Sequence, residues 1–398
     1  MSKDGFSRVK FGDFVASRNE RYPNNGTYPL YSLTIKDGVT PKTDRYEREF
    51  LVTDKSVKKY KIIKTGDLVF NPSNLRWGAI ATSLVPFPVL ASPIYEVFYP
   101  KDSNIVDPYF LGILASSSML MNEYLSKVEG TLVERTALKK DDFLEIKVDI
   151  PSLPEQKKIV EILFGIDKTI SEIIIKKAHI EKTRKSLIQN LTKGLNFKGL
   201  RKSSNTEFGL IPSHWDCMPL PECGKLENNK RKPIKEDDRR KMRGKYPYHG
   251  ATKIQDYISE YSFEGNYTLI GEDGDHFSKY NLWEMAQYAT GRFNVSNHAH
   301  VIGGTSKCHA KWFYYSMLHR DLTLYLTRQG ATRFKLSKAS LEEIPVLCPP
   351  INEQVKMINI FDNFSNIINL LEKKIIKLSI LKKGISSQLL SGRKRVNI

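Results

Sequence analysis

Four stretches of the chain hold residue types that could do chemistry. Asn71-Pro72-Ser73-Asn74 faintly resembles the Asn-Pro-Pro-aromatic pattern of amino-methyl transfer, but the aromatic is missing and no glycine-rich cofactor loop precedes it. It reads as a turn able to touch DNA. Gly271-Glu272-Asp273-Gly274-Asp275 is acidic enough for a cation, yet lacks the later ligands of a calcium loop, and reads as a glycine-rich surface turn. Asp142, Glu145 and Lys147 could form a nuclease cluster, but the internal repeat described below puts Pro345 where Lys147 stands. His298 and His300, followed by Cys308 and His309, could hold zinc, but no ligand pair is regularly spaced; hydrogen-bonded or core histidines are the expectation. No Gly-x-x-x-x-Gly-Lys-Ser/Thr loop is present to drive a nucleotide motor. The sequence thus predicts no catalytic residue and no metal site.

What remains is binding. A net charge of +18 over 398 residues attracts polyanions, nucleic acid above all. Residues 228–245 hold nine Lys/Arg against three acids, and residues 39–64 hold eight against four. Phosphate contacts from such segments give affinity and register; bases need Arg, Asn, Gln or hydroxyl groups near them. The candidates in the first half are Lys42, Lys58, Lys59, Arg135 and the set Asn71, Ser73, Asn74 and Arg76 beside Trp77. In the second half they are Arg231, Lys232, Arg239, Arg240 and Arg243, then Arg292, Asn294, Asn297, His298, Gln329 and Arg333. No apolar run reaches the roughly 18 residues that cross a bilayer, the first six residues lack a signal-peptide core, and the four cysteines show no paired spacing. A cytoplasmic protein is expected.

The elements that must carry these readers occur twice. Ile150-Pro151-Ser152-Leu153-Pro154-Glu155-Gln156 returns as Cys348-Pro349-Pro350-Ile351-Asn352-Glu353-Gln354, 198 residues on. Each copy closes a strand-like stretch and opens a long helical one, with Pro before the first turn and Glu within it. In the first helix Ile159, Ile166, Ile173, Ile180 and Leu187 recur every seventh residue, beside Leu163, Ile170, Lys177, Arg184 and Leu191. The second repeats the register with Met357, Phe364, Leu371, Leu378 and Ile385, beside Phe361, Ile368, Ile375, Lys382 and Leu389. Two heptad rows in matching register predict helix packed on helix, and about 38 residues at ~1.5 Å each span about 57 Å. Weaker echoes link Gly130–Arg135 with Gly330–Lys335, and Tyr28-Pro29-Leu30-Tyr31 with Tyr246-Pro247-Tyr248-His249. Strands are expected at 61–63, 67–70 and 79–82, and helices over 107–127 and 310–325.

At the repeated Pro-x-x-x-Glu-Gln junction the chain resembles the specificity subunit of a type I restriction-modification system. The lead-in Phe208-Gly209-Leu210-Ile211-Pro212-Ser213-His214-Trp215, the segment Asn297-His298-Ala299-His300-Val301 and the tail Gln388-Leu389-Leu390-Ser391-Gly392-Arg393-Lys394-Arg395 carry the same resemblance. It implies a mixed α+β fold with an internal pseudo-two-fold repeat. Two α/β target-recognition domains, 1–150 and 208–348, are each followed by a long helix, 151–195 and 349–398, with a linker at 196–207. It also implies that the helices form an antiparallel coiled coil. Each domain would read half of an asymmetric, interrupted DNA site. Two modification subunits would bring S-adenosylmethionine for adenine methylation, and two restriction subunits would bring ATP and Mg for cleavage, with no cofactor on this chain. The alternative reading is a non-catalytic RNA-binding or coiled-coil adaptor protein.

Overall fold

The computed structural model describes residues 5–42, 59–127, 137–195, 197–329 and 333–397. It divides into two compact units: residues 1–173 with 374–398, and residues 174–373.

In the first unit the start and end of the globular part meet, because Phe6–Lys10 pairs antiparallel with Lys147–Pro151. The next strands form an antiparallel sheet in the order Val15–Ser17, Glu96–Pro100, Leu68–Phe70, Ile80–Thr82. Below it lies an aromatic core in which Phe11 stacks on Phe143 at 4.5 Å and Phe70, Phe98 and Tyr124 pack around the same ring. A helix, Pro108–Ala115, follows Glu96–Pro100. The Asp107 carboxylate caps it, accepting from the amides of Tyr109 and Phe110 at 2.9 Å each, and Pro108 fills the first position. The single helix expected over 107–127 is broken in two, with Ser118–Ser126 as the second piece. The Ser116 hydroxyl bonds back to the Gly112 carbonyl at 2.8 Å and Ser117 caps the new start, so local side-chain bonds compete with the helix ladder.

The second unit repeats this plan. Asp216–Pro219 pairs with Pro345–Cys348 as its closing ribbon. The strands Ala299–Gly303, Phe263–Gly271 and Ala286–Val295 take the same order as the last three strands of the first unit's sheet, within a six-stranded sheet. The capped helix is Ala310–Met317, where His309 Nδ1 accepts from the Lys311 amide at 3.0 Å. The helix expected to reach residue 325 ends at Met317, and Thr323–Tyr325 forms a separate 3₁₀ turn. Trp215 and Trp312 meet edge to face at 6.2 Å in the core, and Trp312 Nε1 donates to the Leu347 carbonyl at 2.8 Å. The four cysteines are free thiols.

Each domain is tied to its long helix by one buried glutamine. Gln156 Nε2 donates to the carbonyls of Pro151 (2.9 Å) and Ile105 (3.0 Å), while its Oε1 accepts from the Asp107 amide (2.9 Å). Gln354 does the same for Pro349 (2.7 Å), Lys307 (2.9 Å) and the His309 amide (2.9 Å). An amide is the one neutral side chain with both the two donors and the acceptor this needs. The preceding glutamates have different partners. Glu155, 1% exposed, takes Arg395 of the C-terminal tail in two bonds of 2.8 and 2.6 Å. Glu353 takes His214 Nε2 at 2.9 Å and Trp215 Nε1 at 3.0 Å.

The long helices are Leu153–Thr192 and Ile351–Leu390. All twenty heptad positions named above are buried or half-buried, while most positions between them are exposed. In the first unit, contacts pair Glu155 with Arg395 and Asp167 with Lys382 (2.6 Å), so one number climbs as the other falls and the pair is antiparallel. In the second unit Lys177 meets Glu372 at 2.8 Å. The two charged side chains on the first helix's seam are thus both accounted for: Lys177 crosses to the other helix, and Arg184 turns to Glu284 of the second unit's globular part at 3.1 Å.

All eight histidines fall between residues 174 and 373. Burial holds His249, His276, His300, His309 and His319 below the ordinary imidazole range. A folded-state value below the unfolded one means that the unfolded chain binds more protons as pH falls. The stability these groups contribute is complete above the unfolded value near 6.5 and is lost as pH drops towards and through the folded value. Acidification from pH 7.5 to 5 is therefore expected to lower the stability of the second unit and to spare the first over this range. Hydrogen exchange resolved by segment checks this, and equal loss of protection in both units would count against it.

Candidate nucleic-acid interface

The second unit's basic run is not an open loop. Glu236–Lys241 is a short helix with three acids in its first turn and three bases in its last, which matches the helix dipole. Arg240 pairs with Glu236 at 2.6 Å on its surface. Two of the arginines turn inward. Arg239 lies 5.0 Å over the Tyr248 ring and donates to the Ile234 carbonyl at 2.6 Å. Arg231 donates to the carbonyls of Asn228 (3.0 Å), Asn297 (3.2 Å) and Ala299 (3.0 Å) and to Glu272 (2.8 Å). Both act as struts. Lys232, Arg240 and Arg243 remain at the surface.

Arg292 is exposed on the strand Ala286–Val295, with Nε 3.1 Å from Glu264 and its guanidinium 4.9 Å from the centre of the Tyr261 ring. Asn294, two residues on, is fully buried; it donates to the Glu260 carbonyl at 2.6 Å and accepts from the Ser262 hydroxyl. Asn297 and His298 are exposed in the next turn, where His298 Nδ1 meets Asp273 at 2.9 Å. Gln329 and Arg333 are backbone register partners in the strand pair Thr327–Gln329 and Arg333–Lys335.

In the first unit Asn71, Ser73, Asn74 and Arg76 share one turn. The mostly buried Asn71 accepts the Ser73 amide at 3.1 Å, and Asn74 opens the 3₁₀ turn Leu75–Trp77. Gly78, at φ 86°, closes it. Leu75 anchors the turn in the core, while Ser73, Asn74 and Trp77 point to solvent, the last with Arg76 at 5.1 Å over its ring. Lys59 is exposed at the start of Lys59–Ile63, and Lys42 is half-buried with its amide on the Leu30 carbonyl. Lys58 and Arg135 lie outside the described residues.

The groups that suggested metal chemistry have separate duties. His300 accepts Asn228 Nδ2 at its Nδ1 (2.9 Å) and donates from Nε2 to the Leu336 carbonyl (2.8 Å), a neutral imidazole with both nitrogens used. His309 caps a helix and Cys308 lies in the core. Glu272 braces Arg231 and Lys335. Among the described residues no three His, Cys, Asp or Glu side chains are grouped to hold a metal ion. The sequence reading missed Tyr246, Tyr261, Glu264, Asn266 and Thr290, which surround Arg292 or share its face. The alternation Phe263-Glu264-Gly265-Asn266-Tyr267 was the available signal of a half-exposed strand.

Residues 4–182 and 212–379 each match the model of the type I restriction modification DNA specificity domain. The chain is 36% identical over 151 residues to a putative type I restriction enzyme specificity subunit of Haemophilus influenzae, a match covering 38% of this chain and only 37% of that relative. It is 22% identical to the type I restriction enzyme MjaVIII specificity subunit of Methanocaldococcus jannaschii, over 98% of this chain and 92% of the other. The crystal structure of a type I restriction-modification S subunit from M. genitalium has a similar fold, with a TM-score of 0.56 at 15% identity over 96% of each chain. None of these similarities points to an RNA-binding or adaptor protein. The chain therefore belongs to the type I restriction-modification DNA specificity family: it carries two copies of that domain, and its function is that of the specificity subunit, recognition of a DNA target.

Proposed function

We propose that each unit reads one half of an asymmetric, interrupted duplex site and that the chain performs no chemistry itself. The observation that carries this is one fold present twice, each copy closed onto its own long helix by the same glutamine, with different polar residues on the outside. Equal frames with unequal surfaces suit one partner met twice and two unlike half-sites. Contacts to DNA fall to the exposed groups Lys59, Ser73 and Asn74, with the half-buried Arg76 beside them, in the first recognition domain (1–150), and to Lys232, Arg240, Arg243 and Arg292 in the second (208–348). Two modification subunits, carrying S-adenosylmethionine, dock on the helices and methylate adenine in the cytoplasm. Two restriction subunits, carrying ATP and Mg, add cleavage. Exposed apolar side chains on the second helix support docking: Ile360, Ile367 and Leu370 in one unit, Ile376 and Ile380 in the other.

The test is titration of the purified chain with duplex DNA and with structured RNA across salt concentrations, with S-adenosylmethionine present. The expected result is preference for duplex, affinity that falls steeply with salt, and no methyl transfer. Methyl transfer by the chain alone, or RNA displacing duplex, would contradict the proposal.

A further inference from the structure

We propose that Arg292 reads a guanine in the half-site of the second recognition domain, presented on a two-stranded ribbon that enters the major groove; this rests on the DNA-recognition reading above. The strands Phe263–Gly271 and Ala286–Val295 pair from Phe263 opposite Phe293 to Ile270 opposite Ala286. The neighbour Ala299–Gly303 covers the first of them only from Tyr267 onward, and Arg243–His249 joins the second only at Asn294 and Val295. Between these limits, residues 263–266 and 290–293 continue as a pair of strands, and among the described residues no third strand pairs with them. A ribbon of this kind is one of the two shapes that the major groove admits.

The two faces of the ribbon differ. Phe263 and Phe293 stack at 5.3 Å beneath it, against Tyr267. Glu264, Asn266, Thr290 and Arg292 are exposed above it, in two cross-strand pairs. Thr290 Oγ1 donates to Asn266 Oδ1 at 2.7 Å, and Glu264 holds Arg292 at Nε. Gly265 faces Gly291 at the midpoint, both at positive φ, so no side chain widens the ribbon there.

Arg292 is prepared for binding. Gripped at Nε by a carboxylate and laid on the Tyr261 ring, which itself packs on Tyr246 at 5.0 Å, the guanidinium loses little freedom when it meets a ligand. Its planar fork matches O6 and N7 of guanine. The neighbouring carboxylate decides between base and phosphate: Glu264 repels a phosphate but accepts the N4 amino group of cytosine. Arg292 and Glu264 together fit a G·C pair.

The test is methylated-base mapping on a random-sequence duplex library, using the full chain with its modification subunit. Arg292→Ala is expected to relax one G·C position in one half-site by about tenfold or more, with the other positions and the gap unchanged. Arg292→Lys keeps the charge but not the fork, and is expected to relax the same position. Glu264→Gln is expected to loosen that position to a smaller degree. An unchanged motif in the lysine variant, or weaker modification spread evenly over all sequences, would overturn the assignment. Failure of the wild-type complex to select any two-part motif would instead defeat the DNA-recognition reading.

Discussion

Removal of one heptad from each long helix, residues 170–176 from the first and 373–379 from the second, is expected to shorten the gap between half-sites by about three base pairs. The bases read on either side should not change. Both helices run unbroken from one unit into the other. Seven residues at ~1.5 Å make about 10 Å, and duplex DNA rises ~3.4 Å per base pair. Along each helix the cut falls between its residues in the ion pairs Asp167–Lys382 and Lys177–Glu372, so both pairs and the heptad register survive. Three base pairs are about three-tenths of a helical turn, so weaker binding should accompany the shorter gap. Mapping the methylated motif checks this: an unaltered gap, or altered bases beside it, would show that the helices do not set the spacing.

Gln156→Leu is expected to cripple the first recognition domain and leave the second intact, and Gln354→Leu to do the reverse. Leucine fills the volume but leaves two carbonyls and an amide without their partner. Unsatisfied buried groups cost about 1–3 kcal/mol each, or roughly 2–5 kcal/mol here because the Ile105 and Asp107 groups are only partly buried. That is a large part of the ~5–15 kcal/mol that holds a domain folded. Gln156→Glu keeps the acceptor but exchanges two donors for a buried charge, and should be no better. Denaturant unfolding followed by segment-resolved hydrogen exchange separates the units. A variant that weakened both equally, or neither, would show that the glutamine is not the link between each domain and its own helix.

The helices were legible in the sequence because a heptad pattern is a one-dimensional signal. Ile159 and Leu163, like Met357 and Phe361, sit on the covered face whatever lies opposite them. The Pro-Glu-Gln junction was visible as a repeat, but its mechanism was not: the partners of Gln156 at Ile105 and Asp107 lie some fifty residues away. The same limit governs the basic surface. Arg231 and Arg239 look like Arg240 in composition, yet Glu272 and the Tyr248 ring draw the first two inward. Only tertiary neighbours decide whether a long cationic side chain braces the fold or faces a ligand. The short helix at 236–241 could have been read from its order of acids before bases, a dipole-matched sequence that a net-charge count discards.

Sequencing of methylated bases in DNA modified by the wild-type chain with its modification subunit bears most directly on whether two unlike readers share this chain. The expected outcome is methylated adenines confined to one motif of two specific parts separated by a fixed run of unspecified bases. Methylation within one uninterrupted motif, or at adenines without regard to sequence, would contradict it.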